Sequence, residues 1–173
     1  IRGVFRYGGA AAPCNPAGYN DHDDLVFSVT TGYHPYLQTP ACLGFGTQCS
    51  SGDLLVGRGS LGPETNQPNT SFGECPDDNW GEFHVDSSID RIRVVSDDTS
   101  PLRRFGPAQI QVTVFASSDY LGERLDLFEG TGVPGLPWWQ YLGSVTPTGP
   151  GLQVLSFAYT PQGSHLTRAI RAA

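Results

Sequence analysis

The stretch that decides the fold is Gln109-Ile110-Gln111-Val112-Thr113-Val114-Phe115-Ala116-Ser117. In an extended chain Ile110, Val112 and Val114 point one way, while Gln109, Gln111 and Thr113 point the other. Strict alternation of this kind marks a strand buried on one face and wet on the other. Upstream, Arg91 and Arg93 alternate with Ile92 and Val94 in the same manner.

Working outward from these two segments, strands are expected over residues 3–7, 24–30, 53–58, 89–95, 109–117, 124–130, 138–145, 152–160 and 165–172. No stretch longer than ten residues sustains a 3.6-residue apolar period with a cap, so helices should be scarce. Eight or nine short strands joined by Gly- and Pro-rich turns predict an all-β fold, a jelly-roll-like antiparallel β-sandwich. At 173 residues, with 22 Gly and 14 Pro, the chain reads as a single domain over 1–173 without a linker. The connections 31–52 and 59–88 are long for a compact domain, and such loops are functional or tied down.

Four cysteines, at positions 14, 42, 49 and 75, provide the ties. None forms a C-x-x-C pair and no His joins them at zinc-finger spacing, which leaves disulfides in an oxidising compartment as the simplest reading. Of three connectivities, Cys42–Cys49 (a short local loop) with Cys14–Cys75 is favoured. The chain contains no Met and opens on Ile1, so the expectation is that a signal or longer precursor has been removed, or that the piece was cut from something larger.

All ten basic residues are Arg, against seventeen Asp and Glu, for a net charge of −7. That balance is wrong for a phosphate backbone, so nucleic acid is not an expected partner. Nothing approaches eighteen consecutive apolar residues, so no membrane span is expected.

Three features could carry chemistry. In "YNDHDDLVF" (19–27), Asp21, Asp23 and Asp24 surround His22 immediately before an expected strand. Three carboxylates so close repel one another unless a cation or an Arg lies among them. Loop oxygens at i and i+2 suit Ca²⁺, with Asp77, Asp78, Asp86 or Asp90 as further donors. The competing reading is an acidic turn whose carboxylates cap backbone N–H groups and pair with Arg6 or Arg91. In "LPWWQYLG" (136–143), Trp138, Trp139 and Tyr141 are candidates for stacking on a sugar, for subunit contact or for the core. In "FHVDSSID" (83–90), His84 falls on the same face as Asp86. The histidines His22, His34, His84 and His165 have no G-x-S-x-G, H-E-x-x-H or P-loop beside them to anchor a catalytic site, so the chain is not expected to be an enzyme.

The text "GDLLVGRG…NTSFGECPDDNWGEFHVDSSIDRIRV", followed by "RLDLFEG…WWQYLGSVTPT", resembles noncatalytic β-rich modules appended to secreted bacterial hydrolases and surface proteins. The resemblance implies a sandwich fold and secretion, and carries over no catalytic residue. In those modules the segment matching "FRYGG…CNPAGYNDHDDLVFSV" comes last, after the strand matching "AIR"; here it comes first. The order is that of a circular permutation, or of one period cut from a tandem array.

The two ends agree with this. Ile170-Arg171-Ala172-Ala173 lies on Ile1-Arg2-Gly3-Val4 when the tail is slid over the head. If both segments belong to one strand position, one copy is redundant within a monomer, and a redundant strand is an association device. Ile1, Val4, Phe5 and Ile170 are therefore the expected interface residues. The leading expectation is a secreted structural subunit, calcium-stabilised, that associates with copies of itself through terminal or edge strands into a filament, tube or surface layer. The alternative is a carbohydrate- or surface-binding module.

Overall fold

The structure, a computed structural model, describes residues 2–7, 21–27, 32–34, 39–42, 46–56, 75, 82–130, 139–162 and 168–173; in the first three strands it describes the backbone and the side chain of Phe5. The strands are β1 (Arg2–Tyr7), β2 (Asp21–Phe27), β3 (Gly32–His34), β4 (Thr39–Cys42), β5 (Gln48–Ser50) and β6 (Ser88–Ser96). They continue with β7 (Ala108–Ala116), β8 (Glu123–Gly130), β9 (Trp139–Val145), β10 (Gly151–Tyr159) and β11 (Arg168–Ala172).

Two sheets form. One runs β10-β7-β6-β5; the other runs β1-β8-β11-β2-β4-β3, with β9 added on β8. Among these strands pairing is antiparallel except between β2 and β4. The all-β, sandwich-like architecture expected from the alternating segments is what the chain adopts. The β7 alternation does as its pattern requires: Ile110, Val112 and Val114 are fully buried. Burial of each such side chain stabilises the fold by about 1.5–3 kcal/mol. They merge with Ile89, Ile92 and Val94 of β6 and with Phe5, Leu125, Leu127 and Ile170 of the opposite sheet in one apolar cluster.

Two expectations are corrected. Residues 53–58 were expected to form a strand, but Asp53 to Val56 make a turn. The Leu-Leu-Val run is apolar because Leu55 alone plugs the core, at 3% exposure. Arg91 fixes that turn, its Nε donating to the Gly52 carbonyl (3.1 Å) and its Nη2 to Asp53 (2.5 Å). Conversely, the connection 31–52 is not merely a loop, since it holds β3, β4 and β5. These strands have three or four residues each, too few to display a period, and Pro40 interrupts any propensity signal. The disulfide Cys42–Cys49 joins β4 in one sheet to β5 in the other.

Candidate functional site

The chemistry of this fold gathers around one strand lane. β8 pairs with β9 along Leu125–Gly130, so its other edge must take both β1 and β11. β11 occupies the part opposite Leu127–Gly130, and β1 the part opposite Glu123–Asp126. The far wall of the lane is β2, which also pairs with both. Thus β1 and β11 run in the same direction, end to end, between β8 and β2.

At their junction the registers overlap. Arg2 and Arg171 are both partners of Asp24, and Gly3 and Ala172 are both partners of Asp23. Val4 pairs with Asp126, and Ala173 exchanges backbone hydrogen bonds with the same residue (3.2 and 3.4 Å). Three positions of a single lane are each claimed by two residues, in the alignment that the repeated Ile-Arg sequence predicts. On either side of the junction the lane is anchored in the core by Phe5 (1% exposed) and Ile170 (0%). Ile1 lies outside the described residues, as does the side chain of Val4.

Beneath the β11 end of the lane lies a buried polar group. Glu129 on β8 accepts a hydrogen bond from the Tyr159 hydroxyl on β10 (2.6 Å), which links the two sheets. Arg168 Nη1 lies 3.1 Å from the same Glu129 oxygen, as an ion pair lacking good hydrogen-bond alignment. Burial first, and then the Glu129 carboxylate, hold the Tyr159 phenol well above its ordinary ionisation range. Arg171, fully buried, stacks its guanidinium over Trp139 (4.4 Å) and donates from Nη1 to Cys75 Sγ (3.0 Å). Sequence inspection missed Glu129, Arg168 and Arg171 as a group. The available signal was charge at positions of otherwise apolar strands.

The other expected site residues are placed as follows. The expected strand begins at residue 24, with Asp21 and Asp23 in the loop before it; in the structure β2 begins at Asp21, so Asp21, Asp23 and Asp24 all lie within the strand, whose backbone is held by β1 and β11. Their side chains lie outside the described residues, as do Asp77 and Asp78. Asp86 and Asp90 are engaged elsewhere. Asp86 accepts from the Glu82 backbone N–H (2.8 Å), closing the turn before β6. Asp90 is the extra residue of a β-bulge between Ile89 and Arg91, which turns its carboxylate into the protein. There it accepts from Ser88 Oγ (3.0 Å) and lies 2.8 Å from His84 Nε2. The His84 ring is stacked between Phe83 and Phe115 (3.8 and 4.9 Å). His84 thus meets Asp90 and not Asp86, and nearby Ser87 and Ser117 donate instead to buried Glu123 (2.5 Å each).

Of the aromatic trio, Trp138 lies outside the described residues. Trp139 is half-buried over Arg171 and Gly130, and Tyr141 is half-exposed, its hydroxyl 2.6 Å from Ser144 Oγ. Cys75 is buried and disulfide-bonded. Cys14, its expected partner, lies outside the described residues. Among the described residues no helix is long and apolar enough to cross a membrane. Comparison with protein families, with curated proteins and with solved structures gives no match to this chain.

Proposed function

We propose that this chain is an extracellular structural subunit that joins copies of itself by exchanging the strand that fills the β8–β2 lane. The supporting observation is the doubly claimed junction: Arg2, Gly3 and Val4 share register positions with Arg171, Ala172 and Ala173. One backbone fits at each position of a strand, so β1 and β11 of one molecule compete there, and docking of β1 in its own lane is weakened. The same β1 fits the lane of a second copy with the same contacts, which makes exchange cheap. Exchange that runs from copy to copy without closing builds a filament or tube. A disulfide-tied sandwich suits an oxidising, extracellular setting, and a calcium ion held by Asp21 and Asp23, alternate residues of β2, would offset their mutual repulsion.

Arg6 and Arg124 are register partners across the lane. Cysteines introduced as Arg6→Cys and Arg124→Cys, oxidised and run on a non-reducing denaturing gel, will give a ladder of covalent multimers. A single cross-linked monomer band overturns strand exchange. For calcium, chelation with EDTA lowers the melting temperature, and an unchanged melt removes the metal from the proposal.

A further inference from the structure

A second contact surface is built into the other sheet. Between Glu129 and Arg168 the sequence contains no Asp, Glu, Lys or Arg, although the chain carries −7 overall. That uncharged run contains β10, which is an edge strand. β10 pairs with β7 over all nine of its residues without a register shift, and its opposite edge has no strand partner among the described residues. The next strand back, β9, pairs with β8 in the other sheet.

Proteins ordinarily blunt such an edge by shortness, charge, proline or a bulge. The other described edges use these devices. β3 and β5 have three residues each, and the pairing of β9 is broken by a bulge between Leu127 and Phe128. β10 uses none of them, since Gly151–Tyr159 is long, regular and free of charge and proline. Its outward face adds apolar surface: Leu152 and Val154 are each 59% exposed, and Leu152 is paired with half-buried Phe115.

We infer that the β10 edge binds the β10 edge of a second copy, antiparallel across a two-fold axis, to make one continuous sheet of eight strands. Charge selects the occupant. Two molecules of −7 repel most where their carboxylates face one another, and an edge without charge is where that repulsion is least. A basic partner would find no carboxylate there to pair with. Antiparallel self-pairing is isologous and closes at two chains, and it gathers Leu152 and Val154 of both copies on one face. This contact is independent of the lane, and in an exchanged filament it would pair strands side by side.

The test uses the full chain with Val154→Cys and a short bis-maleimide, run on a denaturing gel. The expected product is a covalent dimer and nothing larger, with far less from Ser118→Cys at an exposed position on another strand connection. Adding Leu152→Lys sets like charges against each other across the two-fold axis and lowers the dimer yield about tenfold or more. Because Leu152 is exposed, the far-UV circular dichroism and melting temperature stay at the unsubstituted values. Equal cross-linking from Ser118→Cys, or a yield indifferent to Leu152→Lys, overturns the inference. The Arg6/Arg124 ladder reads the lane alone, so either contact can fail while the other stands.

Discussion

Replacing Glu129 by Gln tests the reading of the buried polar group directly. The carboxylate is 1% exposed and Arg168 is 5% exposed, so neither charge has water to fall back on. At a separation of 3.1 Å, unit charges attract by about 5 kcal/mol at an effective dielectric of about 20. Much of that attraction offsets the cost of dehydrating both groups. Breaking such a pair from one side strands the other charge, which costs about 3–5 kcal/mol. Gln keeps the shape and still accepts from Tyr159, so the loss reports the charge rather than a cavity. In a chain of this size each kcal/mol moves the melting temperature by about 2–4 °C, which gives a fall of about 6–20 °C. The triple variant Glu129→Leu, Arg168→Met, Tyr159→Phe removes all three polar partners together and recovers most of the loss. Urea unfolding followed by tryptophan fluorescence, with disulfides intact, measures both variants, and an unchanged m value validates the comparison. A Glu129→Gln cost below about 1 kcal/mol, or a triple variant less stable than the single one, refutes the reasoning.

Two further outcomes concern packing and the disulfide. Gly143→Ala puts a Cβ 2.7 Å from Phe157 Cε2 where β9 crosses β10, and such overpacking costs about 1–3 kcal/mol in a denaturation experiment; Phe157→Leu in the same chain restores part of it. Replacing Cys42 and Cys49 by Ser opens a loop with a sequence separation of 7 and lowers stability by about 2–3 kcal/mol on the chain-entropy account, with a matching shift in the urea midpoint.

The pH dependence follows from two groups with opposite signs. The folded state holds the Tyr159 proton that an unfolded chain releases near pH 10, so this contribution is intact below pH 10.0 and is lost as pH rises above it. Ultraviolet titration finds this phenol still protonated where free tyrosine has ionised. Asp98, bonded to the Arg103 guanidinium and to Ser96 Oγ, is held well below the usual carboxylate range. Its contribution is present above the ordinary value of 3.8 and fades as pH falls below it. Carboxyl NMR shifts show it ionised at pH 3 in the folded chain; a normal Asp titration removes the Arg103 contact from the account.

The strands long enough to show a period were legible from the sequence alone. β6, β7, β8 and β10 fall within a residue of their expected limits; in β6 and β7 one-sided burial imposes the alternation, whereas β8 is buried on both faces. The repeated Ile-Arg text at the two ends was legible too, and it foretold which residues would share a register. Local text did not reveal β3, β4 and β5, which exist because a disulfide and neighbouring strands hold segments with little propensity of their own.

Nor did it reveal that Asp90 leaves the alternation of β6, since a bulge is a mismatch between two paired strands and is not visible in one of them alone. Glu129, Arg168 and Tyr159 lie in three separate segments, and nothing local to any one of them points to the other two. Their meeting is set by the packing of one sheet on the other, and so is the lane in which β1 and β11 meet. The sequence determined periods, ties and a repeated end. Only the tertiary structure decided which edges are filled, which are claimed twice and which stand open, because edge pairing is a contact between residues far apart along the chain.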